Sequence, residues 1–379
     1  MTLVLILAVV VVVGTAVTVL ARSPARRHLV PAPFEPGIVS TPMTGTDVRV
    51  EQVEVVAQLT GAGSPNRTAE RWDVAGTDLG HSFRHGDSLY MVFGDTFGQG
   101  WPQRRGNWRS NVLARVDDLD PSDGLDFATM VTDARGRARE ILPSLKIPGI
   151  ERTVIPTGGA SLGDRMLLHY MSVSSWGGHG HWRARHAGLA VSADGGETWT
   201  RPPGAIWDGE GNFVQVDFAE DEGWLYMLGI PAGRDGGAAL ARVEPDDATD
   251  KGAYEYWDGR AWVRGDEHAA VTVVEGPVGE LSLRWSPRFE RWLLMYLHEA
   301  NDDVVLRTAP ELTGPWDEPR IVVTAKQWPQ PYGPYFVPLD GDEVYFTLSR
   351  FDFYNVYLLR LHLGGDDVIV AAPEAGGIR

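Results

Sequence analysis

Three acidic side chains stand at the entrance to β-rich runs and a fourth, Asp95, ends one, with glycine in the segments of three of the four. They are Asp78 in Val74-Ala75-Gly76-Thr77-Asp78-Leu79-Gly80, Asp95 in Phe93-Gly94-Asp95-Thr96-Phe97, Asp217 in Phe213-Val214-Gln215-Val216-Asp217, and Glu280 in Val278-Gly279-Glu280-Leu281-Ser282. Paired carboxyl groups suit glycoside hydrolysis, in which one protonates the leaving oxygen while the other activates water or attacks the anomeric carbon. A third carboxylate raises the pKa of the acid by like-charge repulsion. The plainer reading of any one Asp here is a turn residue. Two such segments in one repeat, with Glu280 at an equivalent place in another, favour chemistry. The segment Tyr332-Gly333-Pro334-Tyr335 occupies the matching place in the last repeat. Arg109 and Asn111 enter a strand near Asp95, where they could hold a sugar hydroxyl or orient a carboxylate, and a structural salt bridge explains them equally well. Trp101, Trp108, Trp176 and Tyr335 are candidates for sugar contact, because aromatic faces stack on sugar rings.

Such residues converge only if the elements carrying them do. Apolar runs start at Leu89, Met166, Trp224, Trp292 and Val344, each after a polar turn such as Gly86-Asp87 or Gly163-Asp164. A second β-rich stretch follows each: Asn111–Val116, Ala187–Ser192, Ala238–Val243, Val304–Arg307 and Val356–Leu361. Short strands repeating at this spacing read as a β-propeller, and five repeats predict five blades. The segments of Asp78, Asp217 and Glu280 lie just upstream of the apolar runs, on the strand of each blade that lines the central channel. Glycine there permits close backbone approach around the axis. Asp95 should lie near Asp78 across a hairpin. Val48–Leu59 alternates as a strand and should close the ring beside Tyr357–Leu363, which removes exposed edges. Helical periodicity is scarce, and Ala134–Leu142 is the best helix candidate.

The expected organisation is therefore a leader over residues 1–21, a Pro-rich linker over 22–45, an all-β five-bladed propeller over 46–365 and a tail over 366–379. Thr2–Ala21 is uncharged and apolar, long enough at about 1.5 Å per residue to span a bilayer. A signal peptide and a membrane anchor both fit. Arg22, Arg26 and Arg27 follow it, and the positive-inside rule would hold them in the cytoplasm. The Pro-rich stretch 31–42 reads as a stalk and favours export to the cell envelope, the expectation adopted here. The net charge of −17 repels nucleic acid and suits a neutral polysaccharide partner. The chain has no cysteine, which excludes disulfides, thiolate metal sites and a cysteine nucleophile. A monomer is expected.

Ser192-Ala193-Asp194-Gly195-Gly196-Glu197-Thr198-Trp199 matches the Asp-box turn of sialidase-type propellers. It is a folding device of the outer rim. A sialidase would also need three arginines around a substrate carboxylate, and the channel segments show none. His179-Gly180-His181, with His169 and His186, lacks acidic or Cys partners at ligand spacing, so neither a metal nor a cofactor is expected. No phosphate loop, dinucleotide fingerprint or nucleophile elbow is present.

The segments Gly76–Gly80, Phe93–Gly98, Arg109–Asn111, Gly279–Ser282 and Tyr332–Phe336 resemble domain-of-unknown-function family 4185, from about Trp72 to Leu363. The resemblance implies a five-bladed propeller. It also implies an endo-D-arabinanase, which cuts D-arabinofuranose chains of mycobacterial arabinogalactan and lipoarabinomannan. By the same resemblance Asp78 and Asp95 are the acid and base carboxylates, in an order the sequence leaves open. Glu280 rests on the repeat alignment and on analogy with other five-bladed glycosidases. An inverting route is preferred, and it needs carboxyl groups about 6.5–9.5 Å apart. The alternative is a non-catalytic propeller that binds glycan or scaffolds envelope proteins.

Overall fold

The computed structural model describes residues 48–100, 103–178 and 180–365. The expected leader (1–21), linker (22–45) and tail (366–379) lie outside the described residues, as do Trp101 and His179. Among the described residues no helix is long and apolar enough to cross a membrane.

Five antiparallel sheets follow one another along the chain. Blade 1 comprises Leu79–His85, Ser88–Phe93, Val112–Val116 and Phe127–Met130. Blade 2 is Thr153–Leu162, Arg165–Trp176, Trp182–Ser192 and Ile206–Asp208. In blade 3, Gln215–Asp221, Trp224–Ile230, Ala238–Val243 and Glu255–Trp257 are joined by the short strands Trp262–Arg264 and Thr272–Val274. Blade 4 runs Leu281–Ser286, Arg291–His298, Asp303–Ala309 and Arg320–Val323. Blade 5 is Pro331–Phe336, Val344–Arg350 and Asn355–Gly364, completed by the N-terminal strand Arg49–Gln58. Ring closure is as the alternation of Val48–Leu59 predicts.

The first strand of each blade packs against the first strands of both neighbours, so the five line one axis. The second strands are sandwiched between adjacent blades and buried on both faces. That is why Trp224–Ile230 and Val344–Leu348 read as continuous apolar runs instead of alternating ones. Along the outermost strand Arg49–Gln58, Val53 and Val55 pack toward blade 4 and alternate with partly solvated residues, while Ala57 near its end packs toward blade 1. Apolar clusters fill the gaps between blades. One further cluster, with Leu79, Ile155, Val214, Leu297 and Tyr332, draws on every blade and closes one end of the axis.

The hairpin turns behave as their sequences require. Gly86 (φ 57°) and Gly163 (φ 62°) take the left-handed conformation that glycine adopts without cost. Ala134–Leu142 corrects the reading above, because it forms no helix. Asp133 accepts the backbone N–H groups of Arg135 and Arg137 and pairs with the Arg137 guanidinium, which fixes a turn. The only α-helix among the described residues is Thr68–Trp72.

Candidate active site

Asp78 and Asp95 belong to two segments that the fold lays side by side. Gly76 pairs with Phe97 across an antiparallel bridge, and the buried hydroxyls of Thr77 and Thr96 bond at 2.6 Å. Gly94 N–H donates to the Asp78 carbonyl at 3.2 Å. A Cβ at Gly94 would overlap Asp78 Oδ1, so the glycine leaves the space that the carboxyl group occupies. Leu79 (φ 67°) and Gly80 (φ 83°) kink the start of the strand, and Leu79 N–H is anchored by Ser349 Oγ at 2.9 Å. Both acids line a cavity of about 710 Å³ at the end of the axis.

Their surroundings differ. Tyr332 donates to Asp78 Oδ2 at 3.0 Å, and the Tyr354 hydroxyl also bonds this carboxyl group. Burial, then the charge of Asp95 and more weakly that of Glu280, push Asp78 up to about 7 against those two bonds. Asp95 Oδ1 accepts from Trp108 Nε1 at 2.8 Å and from Thr153 Oγ1 at 2.6 Å. Burial raises Asp95 to about 6, while the two donors and the fields of Lys146 and Arg152 restrain the rise. The Trp108 ring is itself held between Phe97, stacked at 6.5 Å, and Lys146 Nζ, 4.1 Å from the ring centroid.

Glu280 reaches the cavity from the head of the first strand of blade 4. The Arg234 guanidinium grips its Oε1 through Nε at 3.1 Å and Nη2 at 2.5 Å, and touches Glu299 Oε2 at 3.3 Å. Burial opposes the charge on Arg234, but the two glutamates outweigh it and hold the guanidinium above the ordinary arginine range.

The fold thus brings Asp78, Asp95, Glu280, Tyr332 and Trp176 to one cavity, with Trp108 one hydrogen bond behind Asp95. Four expected contact residues are placed elsewhere. Asp217 lies deeper on the axis, where Oδ1 meets His81 Nε2 at 2.8 Å and Oδ2 accepts from Leu283 N–H at 2.7 Å. Tyr335 is buried against His81, ring centroids 5.1 Å apart. Arg109 donates to the carbonyls of Ala138 and Asp73 at 3.0 and 2.7 Å. Asn111 bonds the backbone of Ile141, Leu142 and Val154. The Asp217 carboxylate, the Asn111 amide and the two terminal nitrogens of Arg109 bond the protein's own backbone and side chains, and none of these residues lines the cavity. Trp101 lies outside the described residues.

The sequence reading missed Arg234, Tyr354, Arg152, Trp182 and Gln215, which also line the cavity. Gln215 was one alternation step from Asp217, on the same side of the strand and nearer its start. Arg234 lies in Gly233-Arg234-Asp235-Gly236-Gly237, a glycine-rich turn of the kind that flagged the acids, with Arg234 itself at φ 65°. No local pattern marks Tyr354. Among the described residues no group of three or more His, Asp or Glu side chains could hold a metal ion. His169 is buried beside Thr157 Oγ1 at 2.6 Å, and burial pushes it down to about 3.

Residues 63–360 match the family described as Domain of unknown function (DUF4185). Notoamide biosynthesis cluster protein J of Aspergillus sp. (strain MF297-2) is 27% identical over 342 residues, 83% of this chain and 90% of that protein. Among solved structures, a protein from Bacteroides ovatus ATCC 8483 has a TM-score of 0.57 at 13% identity, covering 85% of this chain and 93% of its own. The exo-beta-1,3-galactanase of Phanerochaete chrysosporium, solved with beta-1,3-galactotriose, has a TM-score of 0.54 at 11% identity, over 83% of this chain and 64% of that one. At these identities the likeness is one of fold.

Proposed function

This chain belongs to the DUF4185 family, and from that membership we propose that it is a glycoside hydrolase acting on D-arabinofuranosyl linkages of cell-envelope arabinan. The observation that carries this reading is the convergence of Asp78 and Asp95 on one cavity, where burial raises both carboxyl groups and each has different hydrogen-bond partners. Asp78 sits among tyrosines and near two other carboxylates and keeps its proton longer. It is the general acid that protonates the leaving oxygen. Asp95, held by two donors and faced by Lys146 and Arg152, ionises first and activates the attacking water. Glu280, gripped by Arg234, contributes its charge to Asp78 and a wall to the cavity. Trp176 and Trp108 remain the candidates for sugar contact, Trp108 chiefly through its hold on Asp95.

The arabinan substrate rests on the motif resemblance and on the suitability of a neutral glycan to a chain of charge −17. That a galactanase bound to a galactotriose shares the fold is consistent with a polysaccharide ligand. Export to the envelope, by signal peptide or anchor, and a monomeric state complete the proposal. A second reading is a non-catalytic propeller. The relative named for notoamide biosynthesis favours its small-molecule version, in which the cavity holds a biosynthetic compound.

The test is incubation of the protein with arabinogalactan beside Asp78→Asn and Asp95→Asn variants, with released oligosaccharides followed by chromatography. Release by the wild type alone supports the hydrolase. Binding without release by any of the three proteins would leave the non-catalytic propeller.

A further inference from the structure

Besides Asp78, whose Oδ1 is also left without a partner, three residues of the cavity wall carry buried polar atoms that nothing else in the described protein satisfies. Gln215 Oε1 and Glu280 Oε2 are acceptors, and Trp182 Nε1 is a donor. The residues are 3%, 3% and 6% exposed, and all three line the cavity that holds Asp78 and Asp95. A buried donor or acceptor left without a partner is costly, and native proteins rarely keep one without a use. Three in one wall, from blades 3, 4 and 2, make a constellation and not an isolated defect.

We infer that Gln215, Glu280 and Trp182 form a subsite that reads the hydroxyl groups of one neutral glycosyl ring. The inference rests on the glycan reading of this cavity and specifies its ligand. Each hydroxyl both donates and accepts, so one ring with adjacent hydroxyls satisfies two acceptors and a donor together. A carboxylate or phosphate that takes the place of one of these hydroxyls has no proton to donate at neutral pH and would set a second negative charge against Glu280 Oε2. The subsite therefore selects against anionic sugars.

The groups are rigidly mounted. Arg234 takes Oε1 of Glu280 in a fork and leaves Oε2. The same guanidinium lies 5.6 Å from the Trp182 ring centroid, so one residue positions both partners. The backbone of Gln215 is fixed by pairing with Ile230 in its sheet. Trp182 packs edge-on against Trp176 at 6.3 Å, and Trp176 is exposed at the rim. Gly180 completes the mount, since a Cβ there would come within 2.6 Å of Arg234 Nη1 and 2.7 Å of Glu299 Oε1.

Binding is read by intrinsic tryptophan fluorescence, titrating the full chain with arabinan-, galactan- and xylan-derived trisaccharides and with trigalacturonate as the anionic probe. At least one neutral trisaccharide should bind, and trigalacturonate should bind at least about tenfold more weakly. Gln215→Leu and Trp182→Phe should each weaken the neutral ligand by about tenfold or more, with the circular dichroism spectrum unchanged. Gln215→Glu, which keeps the acceptor and the volume, should retain more affinity than Gln215→Leu. Equal affinity in wild type and both variants, equal binding of the anion, or no neutral ligand bound by the wild type would each overturn the subsite. Arabinan hydrolysis is scored separately. Hydrolysis undiminished in both variants removes the subsite and leaves the hydrolase, whereas variant-sensitive binding without hydrolysis does the reverse.

Discussion

Burial lifts Asp78 to about 7 and Asp95 to about 6, and the working state requires a proton on the first and none on the second. The rate should fall below about pH 6 as Asp95 gains a proton and above about pH 7 as Asp78 loses one, giving a narrow bell in kcat/KM against pH. Because the two groups repel one another, both limbs belong to the pair. Replacing either with Asn should cost about 10²–10⁴ in kcat, measured at the optimum of the bell. Tyr332 donates to the charged form of Asp78, so Tyr332→Phe removes a bond that lowers its pKa. The alkaline limb should move to higher pH. The same shift carries a stability cost. A folded-state pKa above the unfolded value of 3.8 favours the neutral acid, so the stabilisation present at pH 4 is lost as pH rises through about 7. Asp78→Asn, neutral throughout, should melt above the wild type at pH 8 and close to it at pH 4, as calorimetry can show. Stability yielded for function in this way is common at active sites.

At the level of the element, the pairing of two short segments sets the distance between acid and base. Thr77 and Thr96 lock the two side by side, and Gly94 leaves room for the Asp78 carboxyl group. Gly94→Ala should keep the fold, because its backbone lies outside the left-handed region. It should nevertheless displace Asp78 and lower kcat by about 10², with an unchanged circular dichroism spectrum as the control. The strand pattern was readable in the chain to within a few residues: the run expected from Trp224 starts there, and Ala238–Val243 has the bounds expected of it. The Asp box was equally readable, because its bonds are local. Asp194 Oδ1 accepts Thr198 N–H at 2.9 Å, and Trp199 Nε1 donates to Gly196 O at 2.9 Å. Ala134–Leu142 misled because Ala, Arg and Glu favour helix when no contacts intervene. Asp133 and the Arg137 side chain override that preference.

Across the whole molecule, pairing by Arg49–Gln58 is what covers the edge of Asn355–Gly364 in blade 5. Deleting residues 1–58 should strip Val53 and Val55 from the last inter-blade cluster and expose Asn355–Gly364. Aggregation on heating, followed by light scattering, should then begin well below the wild-type transition. The net charge of −17 makes a further distinction. Attack on a neutral glycan needs no charge steering, so kcat/KM should change less than about twofold between roughly 0.01 and 0.15 M salt. A strong salt dependence would point to a charged substrate.

Local order was available from the chain alone: five repeats, their turns, the closing strand and a short list of acids at the inner strands. Periodicity and turn chemistry act within a few residues, so they leave their mark on the linear sequence. Depth along the axis leaves no such mark. Asp217 and Glu280 stand at similar places in their repeats, yet His81 from blade 1 and Leu283 from blade 4 claim the first. Arg234, from a turn in blade 3, grips one oxygen of the second. Arg109 and Asn111 likewise are held away from the cavity by bonds to segments about thirty to forty positions away. Those partners meet only when the ring closes, and hydrogen-bond satisfaction then decides which carboxylates are consumed by the fold and which remain for a ligand.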